Sequence, residues 1–201
     1  MLISTAPSRG AVDPAPCWCG GADWRLCFRT SRFGLVRCRR CGGYRLDPRP
    51  LQQPESVRRF YDEFYARLIA AGYPADAGGM RHSRFWRVAR TVPPLRIAGR
   101  RAADVGSGDG QLCAELIGAG WRSVVGVEVS EARRAQARRA HPDIPFHASL
   151  EEARLAPDSL DLIVLDNVIE HLLDPAGMVA ALSRSLASAG RLVLITPNMR
   201  S

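Results

Sequence analysis

Four of the six cysteines form two close pairs, Cys17-Trp-Cys19-Gly and Cys38-Arg-Arg-Cys41-Gly. Thiol pairs on two turns, joined by short strand-like runs over 24–28 and 33–37, suit four thiolates converging on one zinc ion, with glycines letting each turn bend back. The first pair is C-x-C where C-x-x-C is usual, so Cys27 stands as a substitute ligand. Reduced thiols in a small basic hairpin are the plain alternative. A second constellation, Asp104-Val-Gly106-Ser107-Gly108-Asp-Gly110, lies ahead of Ser123-Val-Val-Gly-Val-Glu128. The glycines let a ligand approach the backbone, and a carboxylate about twenty residues on is placed to meet ribose hydroxyls. The third glycine is at 110, where a dinucleotide loop would place it at Gln111. An acid inside the strand, Asp104, repels a pyrophosphate but holds an amine, so the two acids suit an adenosine that carries an amino acid. A bare strand-to-helix turn is the plain reading of the glycines alone.

The elements that must position these groups alternate in the second half of the chain. Strands are predicted near 101–105, 123–128, 144–147, 160–165 and 191–195, with helices between them. The clearest helix is Ser130–Ala140, with Ser130 as N-cap and Glu131 at its positive end. This is the pattern of an α/β, doubly wound, mostly parallel sheet that binds ligands at the carboxyl ends of its strands. Asp104, Gly106, Glu128, Ser149 and Asp166 then share one sheet edge. In the first half, residues 1–16 read as a disordered terminus and 17–50 as the ribbon. Residues 51–99 read as a helical segment with helices over 54–71 and near 80–91. Tyr61 and Tyr65 on the first helix either close over a ligand or simply pack.

The motifs resemble those of the class I S-adenosylmethionine-dependent methyltransferases. The first motif is similar to Asp104-Val-Gly-Ser-Gly-Asp-Gly110, the ribose acid to Glu128, the fourth strand to Asp161-Leu-Ile-Val-Leu-Asp-Asn-Val-Ile-Glu-His-Leu-Leu-Asp-Pro175, and the fifth to Gly190-Arg-Leu-Val-Leu-Ile-Thr-Pro-Asn198. The ribbon, Asp47-Pro-Arg-Pro50 and Arg59-Phe-Tyr-Asp-Glu-Phe-Tyr65 extend the likeness to a bacterial branch with an N-terminal four-cysteine zinc ribbon. The resemblance implies a Rossmann-like domain over 100–201. Its S-adenosylmethionine contacts fall at Asp104, Gly106, Ser107, Gly108, Gly110, Glu128, Val129, Ser149, Leu150, Asp166 and Asn167. Ser149 stands where the family often has an adenine-binding acid, with Glu151 able to take over. Zinc is expected at Cys17, Cys19, Cys38 and Cys41. His171 is the one candidate base, against the plainer reading of a histidine that packs or caps. Family members continue past the fifth strand, whereas Ser201 follows Ile195 by six residues. The expectation is a shortened sheet with an unpaired, self-associating edge at 191–195.

The chain of 201 residues has 28 arginines, no lysine and a net charge of +8. Residues 1–100 carry 18 Arg against 7 Asp and Glu, and residues 101–201 carry 10 against 13, so an anionic partner would meet the first half. No run is long or apolar enough for a membrane span or signal peptide, and a cytoplasmic protein with reduced thiols is expected. The leading expectation is methyl transfer to a small-molecule acceptor such as a sugar or biosynthetic intermediate. An RNA methyltransferase gripping phosphates with its basic half is the second, though no run of aromatic and basic residues is dedicated to stacking. A non-catalytic, cofactor-binding scaffold is the third.

Overall fold

The computed structural model describes residues 16–30, 34–47, 54–72, 101–172 and 174–197. The terminus before residue 16, the second helix expected near 80–91 and Asn198 lie outside the described residues. The chain divides into two compact units, Met1–Val57 and Arg58–Ser201.

The first unit is an antiparallel sheet in the order β1 (Trp24–Arg29), β2 (Gly34–Cys38), β3 (Tyr44–Asp47). The hairpin is at the expected place, and β3 is an addition. Four residues of alternating character, Tyr44-Arg-Leu-Asp47, are too short to read as a strand on their own. Pairing with β2 from Gly34↔Asp47 to Arg37↔Tyr44 fixes them. Val36 and Cys38 are buried at the centre, and buried Asp47 accepts from Arg29 Nη2 at 3.1 Å.

Helix α1 (Pro54–Ala70) follows; its residues from Arg58 on belong to the second unit. There β4 (Arg101–Val105), α2 (Gln111–Gly118), β5 (Ser123–Val127), α3 (Glu131–Ala140), β6 (Phe146–His147), α4 (Leu150–Ala153), β7 (Leu160–Asp166), α5 (Pro175–Ser185) and β8 (Leu186–Ile195) alternate. The five strands are parallel in the order β6-β5-β4-β7-β8, so the order reverses at β4. Every residue of β7 is buried, as a central strand covered on both faces requires. Leu162 and Val164 pack with Leu112, Cys113 and Leu116 of α2, whereas Ile163 and Leu165 pack with Leu182 of α5. Each such side chain contributes about 1.5–3 kcal/mol of burial.

In the parallel sheet β5 and β7 differ from the expected bounds by a single residue, and β6 and β8 by more. β6 is only two residues long because Pro145 has no N–H and Ile144 N turns back to His141 O. β8 begins at Leu186 because that residue already pairs with Leu160; the register slips before Leu162 meets Arg191. Among the described residues β8 lies at one end of the sheet, with Leu194 exposed. No helix among them is long and apolar enough to cross a membrane.

Candidate cofactor and metal sites

The four expected cysteine sulfurs all lie within 4.8 Å of one another. Cys17 Sγ is 3.6 Å from Cys41 Sγ and Cys19 Sγ is 3.7 Å from Cys38 Sγ. A tetrahedral ion with bonds of about 2.3 Å separates its sulfurs by about 3.8 Å, so the cluster has the dimensions of a zinc centre. Backbone N–H groups of Cys41 and then Arg40 draw the Cys38 thiol down to about 7 against the cost of burial, whereas burial pushes Cys17 up to about 12. Cys27 is no substitute ligand. It falls in the β1 irregularity between Leu26 and Phe28, is exposed, and donates to Arg25 O at 3.7 Å.

In the second unit the end of β4 turns sharply. Gly106 N and Ser107 N both donate to Val127 O, at 2.7 and 3.0 Å. Glu128, just past β5, accepts from Gly108 N through Oε2 at 2.8 Å and from Ser130 N through Oε1 at 2.8 Å. The buried carboxylate therefore ties the loop to the start of α3. Arg134 donates to the Glu128 and Val129 carbonyls and to the Glu131 carboxylate, holding that corner from behind. Gly106 and Gly110 are also required by the fold itself, with φ of 78° and 83°. An added Cβ would lie 2.3 Å from Val168 Cγ2 at the first and 2.5 Å from Phe146 Cζ at the second.

Asp104 is fully buried on β4, with Cys113 Sγ 4.0 Å from Oδ2. Asp166 is buried at the end of β7, and Asn167, at φ 54°, donates its N–H to Ile195 O at 2.8 Å. Ser107 Oγ is buried and has no hydrogen-bond partner among the described residues. Ser149, past β6, caps α4: its Oγ accepts from Glu152 N at 3.2 Å, and its hydroxyl is the main cause holding Glu151 below the usual carboxylate range. Leu150 is the half-buried first residue of that helix. The expected residues thus gather at the carboxyl ends of four neighbouring strands.

A sequence model of the family described as "Methyltransferase domain" matches residues 103–194, the stretch that holds this loop, Glu128 and β7. This stretch is a class I S-adenosylmethionine-dependent methyltransferase domain. A probable S-adenosylmethionine-dependent methyltransferase of Mycolicibacterium smegmatis is 38% identical to this chain over 104 residues, 51% of this chain and 40% of the relative. The tRNA U34 carboxymethyltransferase of Stutzerimonas stutzeri is 33% identical over 117 residues, 55% of this chain and 37% of the relative. The chain thus spans about two fifths of these relatives' lengths. Phosphoethanolamine N-methyltransferase 1 of Haemonchus contortus, solved with phosphoethanolamine and S-adenosylhomocysteine, shares the fold at 15% identity and a TM-score of 0.57, covering 71% of this chain and 33% of that one.

In this methyltransferase domain His171 sits on a 3-10 turn, Ile169–His171, rather than on a full helix. Its Nε2 lies 3.9 Å from Glu170 Oε1, and Thr196 Oγ1 is 3.1 Å from Glu170 Oε2. One face of α1 meets the domain here. The Tyr61 ring stands edge-on to His171 at 5.8 Å, Asp62 Oδ1 accepts from Glu131 N at 2.6 Å, and Arg133 lies 5.2 Å over the Tyr65 ring while pairing with Asp109 of the glycine loop at 3.8 Å. Burial, followed by Tyr65, Glu170 and Glu128, holds the Tyr61 hydroxyl above its ordinary range. The i, i+4 spacing of the two tyrosines was the only signal for this contact, and nothing in the sequence marked Asp62 as a cap.

Proposed function

We propose that the second unit binds S-adenosylmethionine at the glycine loop and transfers its methyl group to a small-molecule acceptor such as a sugar or biosynthetic intermediate. The observation that carries the reading is Glu128, buried at the end of β5 with each oxygen anchored by one backbone N–H, beside a glycine loop whose buried Ser107 hydroxyl has no partner among the described residues. Each carboxylate oxygen keeps a lone pair for a ribose hydroxyl. Gly106, Gly108 and Gly110 admit the ligand to the backbone, Ser107 and Val129 flank it, and Asp104 and Asp166 with Asn167 hold the amino-acid end. Leu150 and Ser149 face the adenine, where Ser149 adds little because it already caps α4. When bound, the cofactor supplies a methyl group on a positively charged sulfur with a neutral leaving group. The protein's task is then alignment and exclusion of water. His171 takes the proton where the acceptor must lose one, and the edge of Tyr61 fixes its ring.

The Cys17, Cys19, Cys38 and Cys41 thiolates hold one zinc ion that folds the first unit, the role of a closed four-sulfur site. The resemblance to the ribbon-bearing branch favours a small acceptor. An RNA acceptor is the second reading, supported by the sequence match to a tRNA carboxymethyltransferase. Incubation with methyl-labelled cofactor and separate pools of small metabolites and RNA tests both. Label in the metabolite pool that needs Glu128 supports the first, label in RNA supports the second, and label in neither rejects methyl transfer.

A further inference from the structure

The first unit carries a concavity of about 450 Å³ walled by Arg25, Arg37, Arg39, Arg40, Cys38 and Cys41. Arg25 and Arg37 are direct register partners across β1 and β2, and Tyr44 is the partner of Arg37 across β2 and β3. The three residues form one row on one face of the sheet. Like charges directly opposite one another in an antiparallel pair are destabilising. The nearest relief is neutral: Arg37 Nε donates to Gly42 O at 3.3 Å, and its guanidinium lies 5.7 Å from the Tyr44 ring centre.

Acidic neighbours do not balance this wall. Asp47 pairs with Arg29, and exposed Asp23 pairs with Arg39 at 3.5 Å. Among the described residues no carboxylate pairs with Arg25, Arg37 or Arg40. The thiolate cluster is the remaining local source of negative charge. From Cys17 to Asp47 the sequence holds seven arginines and two aspartates. Four thiolates around one divalent ion carry two negative charges, which leaves a surplus of about three positive charges.

We propose that this face binds a compact phosphate-bearing ligand, a phosphate or pyrophosphate ester. Planar guanidinium forks match phosphate oxygens, and two of them directly opposed across a strand pair supply a two-sided grip whose repulsion the ligand removes. Tyr44, 44% exposed, offers a ring to the organic group attached to the phosphate. The volume is that of a small-ligand pocket, which favours a compact compound over a polymer. This inference stands apart from the methyl acceptor, because it rests only on the first unit.

The test is calorimetric titration of pyrophosphate into the zinc-loaded full chain and two variants. Arg25→Gln is expected to weaken binding at least about tenfold. Arg45→Gln removes the same charge from the opposite face, where the guanidinium lies 4.2 Å over Trp24, and is expected to change binding less than about twofold. Without ligand, Arg25→Gln should keep its zinc and melt no lower than the parent, since it relieves the repulsion with Arg37. A parent protein that does not bind pyrophosphate, or equal weakening in both variants, overturns the proposal. So does a single-stranded RNA of about ten nucleotides binding more than about a hundredfold tighter than pyrophosphate, which would make the face an extended nucleic-acid surface.

Discussion

Glu128 Oε2 accepts the Gly108 N–H at 2.8 Å, joining the carboxylate past β5 to the middle of the glycine loop past β4. A hydrogen bond to a charged acceptor in a buried setting is worth about 1.5–3 kcal/mol, so the acid shapes the loop as well as facing it. In Glu128→Ala, Gly108 and Ser130 lose their acceptors. Hydrogen exchange at 106–110 and at the start of α3 should rise without any ligand present, while β7 stays protected. Unchanged exchange in the loop would show that the turn holds itself.

The metal prediction concerns ligand choice. Protein as prepared should carry one zinc per chain, Cys27→Ser should keep it, and Cys41→Ser should lose it. Structural zinc contributes on the order of 10 kcal/mol to small units, so a chelator should unfold the first unit while the sheet of the second, with its own core, remains. Zinc retained in Cys41→Ser, or lost in Cys27→Ser, would contradict the assignment.

Gly110→Ala places a methyl group 2.5 Å from Phe146 Cζ at a φ of 83°. Strain of this kind costs about 1–3 kcal/mol, and the clash adds to it. The melting temperature should fall by several degrees even without cofactor, a result that a glycine kept only for ligand approach would not give.

Asp62→Ala removes the acceptor that α1 gives to Glu131 N. Loss of such a cap costs about 0.5–2 kcal/mol. Because Tyr61 and Tyr65 are carried on the same face, α1 should become more open to exchange and to proteolysis, with the sheet unaffected. Equal protection of α1 in the variant would mean that the tyrosine contacts alone hold it.

The sheet was legible because β4, β5 and β7 are short apolar runs ended by glycines or acids, and because Ser130 announces α3. The ribbon was legible from two cysteine pairs. What the sequence hid was non-local. Tyr44–Asp47 becomes a strand only by pairing with β2, and β6 is cut short by the missing N–H of Pro145. Ser149 looked available to a ligand, yet local capping of α4 uses its oxygen. Arg25, Arg37 and Tyr44 lie on three different strands, so a row of charge and aromatic surface could not be read from any single run.

The most direct measurement of the central claim is calorimetric titration of S-adenosylhomocysteine into the parent protein and Glu128→Ala. Saturable binding near one equivalent per chain is predicted for the parent, with affinity at least about tenfold weaker in the variant, since two ribose contacts to a charged acceptor are lost. A parent protein that does not bind, or a variant that binds equally well, would contradict the account.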